Sequence, residues 1–404
     1  MSTSLPVMRA VRRRHVYFLS GFDPKGAAHY YALFQALALE QSSVNAMSLT
    51  VGARQRDSAG NSSWEVNAVT PEGTACKTTY EFCRWDDIVR RNWLRSVWRL
   101  LIDMWVAYAR MLSSGEISTV WRLSRKTLVG LVYPLVILGG GLLTGLAMGV
   151  GVAAALRARG ATSLASGAAA LVSFALALWG TLKLENRLNT TWLVRIFSFS
   201  GKQACSQLPE LEDRLNAVAT RIAGKIRASD VDEILIVGFS VGSILAVSSV
   251  ARALDASSLP GQDSNDATAD GPTISLLTLG HCIPMLGLFP QAQAFREELR
   301  VLAQASRLYW LDFSSPTDWG SFALVDPVDA CRIEMKTGEK INPAIRSPRF
   351  HTLFTPATYA RIKRNKRRMH KQYLMAGELL SHYDYLALTS GALTLRQRYG
   401  ASPR

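Results

Sequence analysis

One serine lies between two glycines at a spacing that can support nucleophilic chemistry. The segment Gly238-Phe239-Ser240-Val241-Gly242 follows an apolar run at 231–237 and precedes a helical pattern at 241–254. A hydroxyl that projects from the edge of a sheet needs a sharp turn, and glycines two positions before and after it remove side chains that would collide there. The Val241 amide, at the start of the helix, can donate to an oxyanion. The pattern therefore predicts Ser240 as a nucleophile for acyl transfer, with a non-catalytic glycine-serine turn as the alternative.

The segments around this serine alternate between strand and helix patterns. Strands are predicted at 15–20, 46–51, 63–69, 77–83, 231–237, 274–279 and 308–313. Helices are predicted at 27–39, 208–226, 241–254 and 291–304. Continuous apolar strands that alternate with helices are typical of parallel sheets covered on both faces. We therefore expect an α/β fold with a mostly parallel sheet and helices on both faces.

The strand, the G-x-S-x-G segment and the following helix together resemble the α/β-hydrolase family, in particular its serine lipases and esterases. The resemblance covers residues 14–56 and 231–390. It implies a triad in the chain order serine, acid, histidine, and a second oxyanion donor in the loop after an early strand. Ser20-Gly21-Phe22-Asp23 matches that loop, so the Phe22 amide is the predicted donor, with an ordinary glycine turn as the alternative.

The order implied by the resemblance restricts the base to few of the six histidines. His382, near the carboxyl terminus where the family's histidine loop is expected, is the predicted base, although no clear strand precedes it. The other five are set aside because they precede Ser240, follow it too closely, lie in an irregular stretch, or lie in a basic run interpreted as a solvated face: His15, His29, His281, His351 and His370.

The acid is expected after the strand at 308–313. Asp318 lies in a turn beyond that strand and is the predicted acid, because a buried aspartate there would orient the imidazole. Asp326, before Pro327, is the second choice, and Asp312 is expected within the strand.

Two charge-free runs, at 127–156 and 161–182, are long enough to cross an apolar layer that needs about 20 helical residues. Only Arg157-Ala158-Arg159-Gly160 separates them, so a two-helix transmembrane hairpin is predicted, with spans at about 128–156 and 161–182. Seven basic residues flank the hairpin against two in its loop, which places the rest of the chain on the cytoplasmic side of the inner membrane. The seven are Arg110, Arg122, Arg125, Lys126, Lys183, Arg187 and Arg195. The alternative is a buried, glycine-rich core hairpin of a soluble protein.

Small residues recur along both predicted spans. Gly141, Gly145 and Gly149 form a stripe at every fourth position. Small faces allow helices to approach closely in lipid, so the stripe would hold the hairpin together or pair two copies in a homodimer. The small residues of the second span are Ala161, Ser166, Gly167, Ala170 and Ser173.

An amphipathic helix is predicted at 89–112, where tryptophans recur at helical spacing beside arginines. It suits the lipid headgroup level or the core of the soluble part equally well. The predicted organisation is an amino-terminal part of the α/β domain at 1–88, the amphipathic helix and hairpin at 89–205, and the carboxyl-terminal part of the α/β domain at 206–404.

Composition limits the function classes. The net charge is +15 in 404 residues, which suits nucleic acid or an anionic membrane, and the five cysteines include no CxxC pair, so neither a zinc site nor a redox pair is indicated. No nucleic-acid recognition motif accompanies the basic run at 363–371. We expect a membrane-anchored serine hydrolase that cleaves an apolar ester, such as a lipid, without a cofactor or metal. The alternative is a catalytically inactive membrane scaffold.

Overall fold

The computed structural model describes residues 10–93, 97–113, 115, 117–188, 191–257, 271–335 and 338–400. The fold is α/β and divides into two compact units. The first, Met1–Leu94 with Ser200–Arg404, is called the α/β unit, and the second, Arg95–Phe199, is called the helical unit.

The α/β unit contains one sheet of nine strands in the order β2-β4-β5-β1-β6-β7-β8-β9, with β3 beside β4. The strands are β1 (Arg13–Leu19), β2 (Ser48–Val51), β3 (Gln55–Arg56), β4 (Ser62–Val69), β5 (Ala75–Phe82), β6 (Glu233–Phe239), β7 (Thr273–Leu279), β8 (Leu308–Phe313) and β9 (Ala344–Arg346).

The sheet is mixed, so the expectation of a mostly parallel sheet is wrong. β1 lies parallel to both β5 and β6, and β6 to β9 continue in parallel, whereas β4 is antiparallel to β2, β3 and β5. β2 and β3 pair with successive parts of β4, and short turns join β3 to β4 and β4 to β5. Because a parallel pair needs a crossover of a dozen or more residues, strands joined by such turns form antiparallel hairpins.

The helices of the α/β unit are α1 (Ala27–Asn45) and α2 (Asp86–Asn92), and those of the helical unit are α3 (Val97–Ser113), α4 (Ile117–Leu123), α5 (Arg125–Ala158) and α6 (Ser163–Leu188). Helix α7 (Thr191–Ala204) begins in the helical unit and ends in the α/β unit. The α/β unit continues with α8 (Pro209–Ala228), α9 (Gly242–Ser257), α10 (Pro284–Gly287), α11 (Gln293–Gln304), α12 (Pro327–Ala330), α13 (Pro356–Arg364), α14 (Lys366–Lys371), α15 (Tyr385–Ser390) and α16 (Leu395–Tyr399), and short 3-10 helices lie at Phe350–Thr352 and Gln372–Leu374.

Strand β6 is buried along its whole length and separates two layers of helices. Leu235, Val237 and Phe239 belong to a core cluster that includes Phe34 of α1 and residues of the carboxyl-terminal segments. Gly238 points the opposite way, because a Cβ added to it would lie 2.8 Å from the Ala246 Cβ of α9. Successive residues of a strand face opposite sides of its sheet, so helices cover both faces around the central strand.

Several predicted elements are confirmed. β8 has the predicted bounds, and β7 and α11 differ from prediction by one and two residues. β6 begins and ends two residues later than predicted, so it runs directly into the turn at Ser240. The sequence did not predict β9, because a strand of three half-buried residues has too short an apolar pattern.

The helical unit contains two helices that are long and apolar enough to cross a membrane. They are α5 and the 163–184 part of α6, and in their most apolar windows only 11% and 6% of the residues are buried within the chain. A core hairpin of a soluble protein would be mostly buried, so this alternative does not fit the structure.

The glycine stripe of α5 faces α6. A Cβ on Gly145 would lie 3.1 Å from the Phe174 ring, and one on Gly149 would lie 3.0 Å from the Ala170 carbonyl oxygen. The stripe therefore allows the two helices of one hairpin to pack closely.

The single amphipathic helix predicted at 89–112 does not form. The structure has α2, which ends at Asn92, and α3, which begins at Val97, whereas residues 94–96 lie outside the described part of the chain. In α3, Trp105 is exposed and Tyr108 is buried.

Candidate active site

Ser240 lies at the junction of β6 and α9 in a backbone conformation that side chains disfavour. Its φ is +56°, in the left-handed region, which costs a non-glycine residue of order 1–3 kcal/mol. The Ser240 amide donates to the Leu279 carbonyl oxygen (2.9 Å), and the Ser243 amide donates to the Ser240 carbonyl oxygen (3.0 Å). Neighbouring elements therefore hold the strained turn on both sides.

The two glycines of the motif are required by close packing. A Cβ at Gly238 would lie 2.7 Å from the Gly242 carbonyl oxygen, and one at Gly242 would lie 2.6 Å from the Ser20 carbonyl oxygen. Cβ atoms essentially never approach backbone atoms so closely. The glycines therefore allow the start of α9 to pass against β6 and the end of β1.

The histidine beside Ser240 is His370. Its Nε2 lies 3.0 Å from Ser240 Oγ, and its Nδ1 lies 2.9 Å and 3.0 Å from the two carboxylate oxygens of Asp318. All three side chains are buried. An imidazole that donates from Nδ1 to a carboxylate presents an unprotonated Nε2, which can accept the serine proton.

Asp318 lies in the loop after β8, as predicted, and accepts a hydrogen bond from the Gly320 amide (2.9 Å). Burial alone would raise the pKa of Asp318, but the His370 charge and hydrogen bond, the Gly320 amide and Ser321 lower it below its ordinary value. Asp318 therefore stays ionised at neutral pH. A Cβ at Gly320 would lie 2.9 Å from His370 Nδ1, so this loop passes the ring only because residue 320 is glycine.

The prediction that His382 would lie beside the nucleophile is wrong. His382 is exposed, with Nε2 3.0 Å from the Ser347 carbonyl oxygen and Nδ1 3.3 Å from Ser381 Oγ. Its ring thus joins two surface segments.

His370 was not predicted as a site residue because it lies in the segment 361–371, which contains seven basic residues. In α14 and the 3-10 helix after it, Met369, His370, Tyr373 and Leu374 are buried. Met369, His370 and Tyr373 recur at helical spacing, Gln372 is buried as well, and the lysines and arginines at 363–371 are exposed or half-buried. The apolar neighbours of His370 at helical spacing were the available signal.

The two alternative acids have other partners. Asp326 caps α12 by accepting from the Val328 amide (2.9 Å) and pairs with Lys340 (3.0 Å). Asp312 accepts hydrogen bonds from Thr278 Oγ1 (2.6 Å) and Ser314 Oγ (2.7 Å), and its Oδ2 lies 4.0 Å from Nε2 of the buried His281. Neither carboxylate contacts His370.

The loop predicted to supply an oxyanion donor lies beside the nucleophile. A Cβ on Gly21 would lie 3.1 Å from Ser240 Cβ and 3.5 Å from its Oγ. Phe22 is buried and stacks on Trp93 at 5.7 Å, and Trp85 Nε1 donates to the Ser20 carbonyl oxygen (3.0 Å). On the other side, the Val241 amide makes no hydrogen bond to any described residue. Both predicted donor segments therefore flank the serine.

Comparison with protein-family models, curated proteins and solved structures found no match. Among the residues that the structure describes, no group of three or more His, Cys, Asp and Glu side chains is placed to hold a metal ion.

Cys282 also lies beside Ser240, although no sequence pattern indicated it. Its Sγ lies 3.7 Å from Ser240 Oγ and 3.3 Å from the Gly320 carbonyl oxygen, and its amide donates to Ser243 Oγ (3.2 Å). Burial raises the pKa of the Cys282 thiol to about 12; Asp318 adds to the rise and the contact with Ser240 opposes it. Cys282 is therefore a neutral thiol that packs against the serine.

We expect Cys282 to resist alkylation by iodoacetamide at neutral pH, because the thiolate is the nucleophile. Cys205, which is partly exposed, should react first. Mass spectrometry of native and denatured samples would measure both rates. Faster modification of Cys282 than of Cys205 in the native protein would contradict a buried, protonated thiol.

Proposed function

We propose that the chain is a membrane-anchored serine hydrolase of the α/β-hydrolase kind, which cleaves esters through an acyl-enzyme. The observation that carries the proposal is the continuous contact from Ser240 Oγ through the His370 ring to the Asp318 carboxylate. Three buried side chains with these roles, drawn from three separate elements, match the requirements of nucleophilic acyl transfer.

The reaction follows from the orientation of the imidazole. Ser240 Oγ attacks the ester carbonyl carbon while His370 Nε2 takes its proton, and the negative Asp318 stabilises the resulting imidazolium. The oxyanion accepts hydrogen bonds from the Val241 amide and from the Phe22 loop. As the tetrahedral intermediate collapses, Nε2 protonates the leaving alcohol. Water, deprotonated by the same nitrogen, then attacks the acyl-serine and releases the acid.

The position of the loop supports the oxyanion assignment. Gly21 lies against Ser240 Cβ, so the amide that follows it is near the point of attack. The φ of +56° at Ser240 turns its side chain out of the sheet, and α9 begins two residues later. Amides at a helix start favour developing negative charge.

A fluorophosphonate probe, which phosphonylates activated serines, tests this proposal. The folded wild type should be labelled, and neither wild type denatured beforehand nor Ser240→Ala should be. Ser381→Ala, which changes a surface serine bonded to His382, is the matched control and should label like wild type. A folded wild type that resists the probe would instead support the inactive scaffold.

The membrane part of the proposal is supported by α5 and α6. Their apolar side chains face outward, including Leu143 and Leu171, each of which is 68% exposed. We propose that both helices cross the inner membrane, with the α/β unit on the cytoplasmic side as the flanking basic residues favour. An apolar ester, such as a lipid, would be within reach of an enzyme anchored in this way.

The anchor predicts that the protein stays with membranes through a carbonate wash and that deletion of residues 127–182 releases it. Replacing Leu143 and Leu146 by Asp should weaken retention, because a charge in a transmembrane helix centre costs about 3 kcal/mol. Leu39→Asp, at a leucine of α1 that is 78% exposed, is the control and should not change partitioning. Recovery of intact wild type in the soluble fraction would remove the anchor from the proposal.

A further inference from the structure

Helices α13 and α14, the second of which contains His370, carry many positive charges and no negative one. Residues 356–371 contain seven basic side chains and no acidic one. They are Arg361, Lys363, Arg364, Lys366, Arg367, Arg368 and Lys371. We call α13 and α14, with the neighbouring Trp319, Leu379 and Leu380, the basic surface.

Four of these seven cations have no ion-pair partner among the residues that the structure describes. Arg361, Lys363, Arg364 and Lys366 are exposed, and no described carboxylate lies within 4.0 Å of any of them. By contrast, Arg252 pairs with two glutamates. The basic surface therefore attracts anions from solution.

Exposed apolar side chains adjoin these cations. Trp319 is 37% exposed, with Lys366 Nζ 4.7 Å from the centre of its ring, and Leu379 and Leu380 are 44% and 72% exposed. The leucines are held beside α13, because Glu378 accepts a hydrogen bond from the amide of Thr355, the α13 N-cap (3.2 Å). Tryptophan and leucine beside lysine and arginine are typical of surfaces that dock at the lipid headgroup level.

The basic surface adjoins the triad. α14 carries His370, and the Gly320 backbone, next to Trp319, lies against the His370 ring. The loop after β1 reaches the same place, because a Cβ on Gly21 would lie 3.1 Å from Ser240 Cβ. The basic surface therefore includes the helix that carries His370.

We propose that the basic surface docks on the anionic headgroups of a lipid bilayer, so that the triad opens towards the membrane. This inference rests on the membrane part of the proposed function and is independent of catalysis. Exposed leucines favour a bilayer over nucleic acid, because they can enter the headgroup layer but pair with no base or phosphate.

The test uses the full chain in lipid nanodiscs and measures amide hydrogen exchange of residues 356–371 by mass spectrometry. Discs of phosphatidylcholine alone are compared with discs that also contain phosphatidylglycerol. We expect exchange to be slower by about threefold or more in the anionic discs, and high salt to remove the difference, because headgroup attraction is screened. Peptides from β6 and β7 serve as a folding control and should exchange equally in both discs.

Matched variants make the test specific. Lys363→Gln, Arg364→Gln and Lys366→Gln together should abolish the slowing. Arg12→Gln, Arg13→Gln and Arg227→Gln together remove the same charge at the start of β1 and near the end of α8, at the other end of the parallel strands, and should retain the slowing. Equal exchange in both discs, or loss of the slowing in the control triple, would overturn the proposal. Equal slowing by inorganic phosphate or a single-stranded oligonucleotide in neutral discs would also overturn it, in favour of a soluble anion or nucleic acid. Since no arm measures hydrolysis, a negative result here leaves the probe-labelling result intact.

Discussion

Replacing His370 by alanine should lower ester hydrolysis by about a thousandfold or more, and Ser240→Ala should do the same. The double variant should be hardly worse than either single one, because residues that act as one unit lose their joint effect when any member is removed. Asp318→Asn should also be strongly impaired, since an amide favours the wrong imidazole tautomer. Initial rates with a short-chain p-nitrophenyl ester would measure all four variants.

His382→Ala is the matched control, because this exposed histidine bonds only to surface groups in the described structure. It should retain activity close to that of wild type. Loss of activity in His382→Ala with full activity in His370→Ala would show that the hydrogen bonds of the site do not identify the base. Full activity in Ser240→Ala would exclude the proposed mechanism.

Replacing Arg14 by alanine should destabilise the α/β unit by about 3–5 kcal/mol, because it leaves the Glu233 carboxylate buried without its partner. Arg14 Nε donates to Glu233 (2.7 Å), and the other nitrogens of its guanidinium donate to the carbonyl oxygens of Gly391 (2.7 Å) and Leu393 (2.8 Å). Both charged side chains are fully buried. One side chain thus joins β1, β6 and the carboxyl-terminal segment.

Thermal and denaturant unfolding in a mild detergent would measure this loss. Lys77→Ala is the control, because it breaks an ion pair with Glu65 in which both side chains are more than half exposed. Such pairs contribute about 0–1 kcal/mol. Equal losses in the two variants would mean that the buried pair has no special role in stability.

The sequence predicted the centre of the sheet better than its edges. β6, β7 and β8 are buried strands with continuous apolar runs, and their helices have clear patterns. The antiparallel pairing of β2 to β5 follows from the short turns between these strands and not from their apolar content. The alternation of strands and helices therefore did not predict this pairing. The mixed sheet was therefore not predictable from composition along the strands alone.

The candidate site was also predicted only in part. Ser240 and Asp318 lie at turns directly after strands, where the sequence pattern is local and visible. His370 lies on a six-residue helix between charged neighbours, and its position depends on long-range packing of Tyr373 and Met369 in the core. A histidine whose position depends on tertiary contacts leaves only a faint local pattern, so His370 was interpreted as part of a solvated basic face and His382 was chosen instead.

The place of the helical unit in the chain has a consequence for biosynthesis. In the sheet, β1 lies between β5 and β6 and pairs with both. In the sequence, the helical unit at residues 95–199 lies between β5 and β6. The ribosome must therefore translate both apolar helices before β6. Until β6 has been made, one edge of β1 is unpaired and Arg14 lacks the Glu233 carboxylate. Recognition of the nascent apolar helices by an insertion machinery would precede completion of the sheet. Delivery of this polypeptide is thus separated in time from assembly of its serine, aspartate and histidine, which come together only after His370 has emerged.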